Sequence, residues 1–263
     1  SGVRVGPEST AHVTVTPPAY ALAGREPDPP IEGLGELTAL EHSTITFDLR
    51  FVPRPAIATL EFTPQGTADA RPARERIPVR VADDGSVKIT VPAKASGTFA
   101  LSAEGARGVK SEFPTQPLYV RKDEAPKLPR VTGLGDKPRQ VRPTEKIVVE
   151  ATATDDVAVT RLVLEWKVDD GPVKELPLSA RGLPAPQAEG KAVLSLTDKV
   201  KVGQRVSCRL AATDNRDLPE AGLKPQTTYF PDRDQWAEFA VDARADPLAE
   251  QDIRGRQAEI DAR

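Results

Sequence analysis

Aspartate and asparagine collect at two points of this sequence. Asp155-Asp156 closes one alternating apolar run, and Asp214-Asn215 with Asp217 closes another. If both runs are strands of one sandwich, their ends converge at a pole and offer about four or five oxygen ligands, against the roughly six to eight that calcium takes. This is the sharpest chemical candidate in the chain. Against it stands an ordinary habit: Asp and Asn at strand ends cap turns with their own side-chain oxygens. The sequence has no Asp-x-Asp-x-Asp loop, so turn capping is the preferred reading. No metal ligand and no cofactor is assigned; calcium stays as the alternative.

Nucleophilic catalysis has less to work with. The only histidines are His12 and His42. Glu41-His42-Ser43 places triad residue types in a row, but neighbours on a strand point to opposite faces and cannot form a relay. No Gly-x-Ser-x-Gly elbow occurs. Cys208 falls on the inward face of its run, where a thiol is packing rather than a nucleophile. Structural zinc needs several Cys or His, and these are lacking. A carboxylate pair for glycoside cleavage stays open on composition alone, and no spacing marks one. The expectation is a non-enzyme with no catalytic residues.

Carbohydrate binding calls for exposed aromatic platforms. Tyr229, Phe230 and Trp236 lie in one connection with Asp232, Arg233, Asp234 and Gln235 between them. The preferred reading is that Tyr229 and Trp236 cover a sandwich edge or dock against a neighbouring domain. Tyr20, behind Pro17-Pro18, reads as a packing anchor. Gly133-Leu134-Gly135 has no helix after it, so a phosphate-binding loop is not supported.

The elements that must position these residues repeat a pattern. Ile45-Thr46-Phe47-Asp48-Leu49-Arg50-Phe51 leads to Leu60-Glu61-Phe62. Ile147-Val148-Val149-Glu150-Ala151-Thr152-Ala153 leads to Leu164-Glu165-Trp166. Each is a period-two run, the mark of a half-buried strand, followed by a second ending Leu-Glu-aromatic. Ile77–Val81 and Val87–Val91 flank Asp83-Asp84-Gly85 and read as a hairpin. Ile147, Val149, Ala151 and Ala153 should face inward, as should Leu162, Leu164, Trp166 and Val168, and later Val206, Cys208, Leu210 and Ala212. Ala237, Phe239 and Val241 close that half.

With 263 residues, two domains are the natural division, each large enough for its own core. Net charge is -3 with both signs interspersed, which removes the electrostatic signature of nucleic-acid binding and of membrane-surface attachment. One cysteine excludes an intrachain disulfide. Nothing reaches transmembrane length, and no signal peptide is visible. The chain starts Ser1-Gly2 and has no methionine, so it is expected to be an excised fragment with any targeting segment upstream.

Trp166, with Cys208 later, resembles the immunoglobulin-fold pairing of a core Trp on the third strand with a Cys on the sixth. The partner cysteine is missing, with Val149 or Ala151 near its place, and Phe62 takes the Trp position in the first half. On that plan the connection bearing Tyr229 and Trp236 matches a recognition loop of many Ig-like domains. Further, Val13-Thr14-Val15-Thr16-Pro17-Pro18-Ala19-Tyr20, Leu40-Glu41-His42-Ser43-Thr44-Ile45, Asp123-Glu124-Ala125-Pro126, Ala153-Thr154-Asp155-Asp156 and Ala212-Thr213-Asp214-Asn215 resemble a family of large, uncharacterised bacterial envelope proteins. Ala21-Leu22 departs from that family's usual Thr-Gly. The resemblance implies N-terminal membrane helices, tandem Ig-like domains, a long coiled coil, an extracytoplasmic location and no known catalytic residues.

The expected architecture is therefore all-β: a first Ig-like sandwich over 1–122, a Pro-rich linker over 123–129, and a second sandwich over 130–243. The start of a longer charged helix follows over 244–263, introduced by Asp246-Pro247 as N-cap and first helical position. The expected function is a non-catalytic spacer or interaction module of the bacterial envelope, periplasmic or extracellular, with a protein partner and no nucleic acid. Membrane contact would come only through segments outside this chain. A calcium-dependent or carbohydrate-binding module is the alternative.

Overall fold

The structure, a computed structural model, describes residues 10–22, 26–65, 74–105, 108 and 110–261. The chain divides between Asp123 and Glu124 into two units, each with its own apolar core.

In the first unit, β1 (Thr10–Thr16), β2 (Ile31–Glu32), β4 (Thr44–Arg50) and β7 (Ser86–Pro92) form one sheet in the order β2-β1-β4-β7. The other sheet runs β3-β10-β8-β5-β6, from β3 (Leu37–Leu40), β10 (Gln116–Arg121), β8 (Gly97–Glu104), β5 (Ile57–Pro64) and β6 (Glu75–Val79), with β9 (Lys110–Glu112) beside β8. Ile45, Phe47, Leu49 and Phe51 are buried, while Thr44, Asp48 and Arg50 are exposed. Phe47 meets Phe99 edge to face with ring centroids 5.3 Å apart. Between Thr16 and Leu37, where the composition predicts no regular structure, the chain forms only α1 (Ala19–Leu22), bearing half-buried Tyr20, and the two-residue β2.

One expectation fails here. The runs flanking Asp83-Asp84-Gly85 do not pair with each other: β6 pairs with β5 and β7 pairs with β4, in different sheets. The turn is real, with Gly85 at φ 80° and its N–H donating to Ala82 O. Turn chemistry fixes a reversal of the chain but not which sheet the next strand joins.

The second unit holds β11 (Lys127–Thr132), β12 (Arg139–Val141), β13 (Lys146–Val168), β14 (Lys174–Pro177), β15 (Ala185–Ser195), β16 (Arg205–Asp214), β17 (Thr227–Phe230) and β18 (Ala237–Val241). The first half of β13 pairs with β11 and β15, and its second half with β14 and β16. β16 also pairs with β18, and β18 pairs in parallel with β12. The first unit has the same scheme, with β3 parallel to β10 in the place of β12 and β18. In both units the strands group by the pairing of Ig-like β-sandwiches, and the fold is all-β with one longer helix, α2 (Leu248–Asp261).

The correspondence extends to side chains. Trp166 opposes Cys208 across β13 and β16; Phe62 opposes Phe99 across β5 and β8. Leu164 opposes Leu210 as Leu60 opposes Leu101. The aromatic and the small thiol of one core are replaced by two phenyl rings in the other, which keeps interior volume filled without a disulfide.

One further expectation is corrected. The linker over 123–129 is too long, because Lys127 already pairs with Thr154 as the start of β11, which also moves the start of the second sandwich back from residue 130. Proline is admitted there because β11 lies at the end of its sheet's strand order. Ser207 and Ala211 are buried as well as Val206, Cys208, Leu210 and Ala212, so β16 is covered on both sides at those positions. α2 is tied to the second unit: Arg139 donates to Leu248 O at 3.2 Å and pairs with Asp252 at 2.7 Å. Among the described residues no helix is long and apolar enough to cross a membrane.

Candidate functional site

The strand that carries Asp155 and Asp156 does not end there. Pairing of β13 with β15 runs to Thr154, lapses, and resumes at Val159, which is also where pairing with β16 begins opposite Asp214. Asp155 and Asp156 occupy the crossing between the two halves of the strand. A continuous strand can change partners only through such an irregularity, and bulged residues re-aim their side chains.

That crossing brings the Asp155 and Asp214 carboxylates within reach of each other's charge. The Glu124 N–H donates to Asp156 Oδ1 at 3.2 Å. Turn capping, the preferred sequence reading, is present for half of each aspartate. Asp155 Oδ1 accepts from Val157 N at 2.8 Å, and Asp214 Oδ1 accepts from Arg216 N at 3.1 Å and Gln226 N at 2.8 Å. The other halves are not accounted for: Asp155 Oδ2 and Asp214 Oδ2 are buried with no hydrogen-bond partner. Asp214 is 1% exposed.

Burial pushes the Asp155 carboxyl above the ordinary aspartate range against the pull of the Val157 and Ala158 N–H groups, and the charges of Asp156 and Asp214 add to the rise. Burial likewise raises Asp214, opposed by Gln226 and Arg216. Asp156 and Asp217 are exposed, whereas Asn215 is half-buried beside Asp214.

The other candidates resolve differently. Tyr229, Phe230 and Trp236 are half-buried, and Phe230 packs on the core. The Arg209 guanidinium lies over both Tyr229 and Trp236, at 4.3 and 4.4 Å from the ring centroids. Its Nε donates to Glu165 Oε2 at 2.7 Å and its Nη1 to Arg233 O at 2.6 Å. Lys167 Nζ stands 5.1 Å from the Trp236 centroid. The aromatic pair thus clamps a largely buried ion pair on the outward side of β16, in line with edge cover.

Glu41-His42-Ser43 forms a turn rather than a strand, with His42 exposed at φ 69° and Ser43 fully buried. The strand-alternation reason for rejecting that trio therefore does not apply, although exposed His42 and buried Ser43 still lie apart in environment. His12 is exposed on β1. Cys208 is fully buried, and burial pushes its thiol up to about 12. A polar trough of about 410 Å³ lies on the outward side of β5 and β8, lined by Thr59, Glu61, Ser102 and Glu104 among others. Both Glu61 oxygens are engaged there, by Arg74 and Arg76 at 3.0 Å each.

No family model matches the sequence, and no curated protein matches it. Solved structures similar to it include the D1–D2 pair of Rst, at 17% identity and a TM-score of 0.30, covering 79% of this chain and 96% of that one. The fibronectin(III)-like modules of Clostridium thermocellum CbhA share 16% identity with a TM-score of 0.27, covering 89% and 96%. A marsupial T cell receptor shares 14% with a TM-score of 0.24, covering 74% and 95%. At this level of likeness nothing about function passes from them to this chain.

Proposed function

We propose that this chain is a non-catalytic structural or protein-interaction module of a bacterial envelope protein, acting as a rigid spacer on the periplasmic or extracellular side. The observation that carries the reading is the way both interiors are occupied. Each core is apolar, and among the described residues Cys208 is sealed in it while Glu61 holds two arginines and Glu165 holds Arg209. What such a module offers a partner is outer strands and loops at set distances along a sandwich. The pairing β2-β1-β4-β7 leaves β2 and β7 as outer strands, and β3-β10-β8-β5-β6 leaves β3 and β6.

A replacement experiment on the whole gene product tests this. The module is exchanged for an unrelated pair of Ig-like domains of equal length, and localisation and envelope phenotype are compared with deletion. Restoration by the exchange supports a spacer. Failure of the exchange, with binding of an envelope protein retained by the isolated chain, supports an interaction module. Hydrolase activity abolished by changing a single carboxylate would overturn both.

A further inference from the structure

We propose that the first unit binds a fatty acid, its chain held between the two sheets and its carboxylate met by Arg50. A cavity of about 370 Å³ opens where β1 begins and β4 ends. Ala11, Leu34, Leu49, Phe51, Leu101 and Phe113 line it, from both sheets and the connections beside them. Leu49, Phe51 and Leu101 belong to the buried core, and the Phe51 and Phe113 ring centroids are 6.1 Å apart. Interiors are close-packed and hold few gaps larger than a water molecule, so an opening of this size into a core calls for an occupant.

The lining decides what fits. Water settles in a cavity only with several polar partners, and a sugar needs more; the apolar side chains here offer none. An engineered apolar cavity of about 150 Å³ takes benzene, so about 370 Å³ takes roughly fifteen non-hydrogen atoms, the size of dodecanoate. The second observation is one of charge. Arg50 also lines the cavity and is exposed, which places it at the mouth with Thr10 and Gln116. Among the described residues its guanidinium is in no ion pair, and it acts on Asp84 only at longer range. A guanidinium offers a fork of donors that a carboxylate fills bidentately. An apolar bore with a cation at its mouth is complementary to one class of ligand, a long chain ending in an acid. The proposal stands whether or not the spacer reading does.

The test is calorimetric titration of the full chain with dodecanoate, kept below the concentration at which it forms micelles, paired with thermal melting. Melting is followed by far-ultraviolet circular dichroism, because both tryptophans, Trp166 and Trp236, lie in the second unit. The expected result is one dodecanoate per chain and a melting temperature several degrees higher with ligand in large excess over its dissociation constant. Octanoate should bind at least about fiftyfold more weakly, since each buried methylene is worth about fourfold. Arg50→Gln should weaken dodecanoate about tenfold, and Arg50→Lys should recover part of that loss. Ala11→Leu fills the cavity from β1; it should weaken binding at least about tenfold while melting no lower than wild type without ligand. Should Ala11→Leu fail to fold, the unaltered chain and Arg50→Gln still decide. No binding by the unaltered chain would mean a packing gap and nothing more, and would overturn the proposal. So would octanoate binding as tightly as dodecanoate, or full affinity in Arg50→Gln or in a folded Ala11→Leu.

Discussion

Cys208 shows how one buried side chain can carry a pH dependence of stability. Its thiol holds a proton to about 12 in the fold, against 9.0 as the ordinary value. The folded state therefore binds the proton more tightly than the unfolded state does. The resulting stability is fully present below pH 9 and is lost as pH rises through about 12. The difference in melting temperature between wild type and Cys208→Ala should shrink between those limits, and a maleimide should label Cys208 only on unfolding. The Glu165–Arg209 pair makes the opposite kind of case. Removing one partner of a largely buried pair costs roughly 3–5 kcal/mol, because the other charge is stranded. Glu165→Ala should lower stability by about that much in urea unfolding read at tryptophan, and the Glu165→Leu, Arg209→Met double variant by much less.

Individual elements differ in how far the sequence discloses them. The alternation at Ile45–Phe51 and Ile147–Ala153 was legible because one face is apolar and the other polar, and the buried sets match. Pairing was not legible. The chain leaving Asp83-Asp84-Gly85 looked like a hairpin, since a tight turn between two alternating runs is the same string whether or not the runs share a sheet. The crossing in β13 reads as a break in the sequence because Asp155-Asp156 interrupts the apolar pattern; only the cross-strand register shows that the strand continues. For the same reason the sequence could nominate Asp155 and Asp214 but not their meeting at a crossing within one strand. Gly133 is a further point that only coordinates disclose. It sits at φ 86°, and a Cβ there would lie 1.8 Å from Val148 O. Gly133→Ala should destabilise the end of β11 by more than the ~1 kcal/mol usual for glycine replacement, with loss of amide protection along Val131 and Thr132 as the measurement.

At the scale of the whole chain, two cores with separate memberships imply two cooperative events. Tryptophan fluorescence reports the second unit alone, whereas far-ultraviolet circular dichroism sums both. The two signals should give non-coincident denaturation curves, and coincidence in urea would mean that the units unfold as one. The units share a strand scheme yet differ in one join. In the first, β4 and β5 are separate strands with Phe51 to Ala56 between them; in the second, the corresponding strands are the two halves of β13. A layer of the first unit can peel from the other by stretching that connection. In the second, the same separation has to tear a single backbone free of β11, β15, β14 and β16 together. Under tension, as in an optical trap, the N-terminal half should give way first, leaving its neighbour as the mechanical lock of the pair.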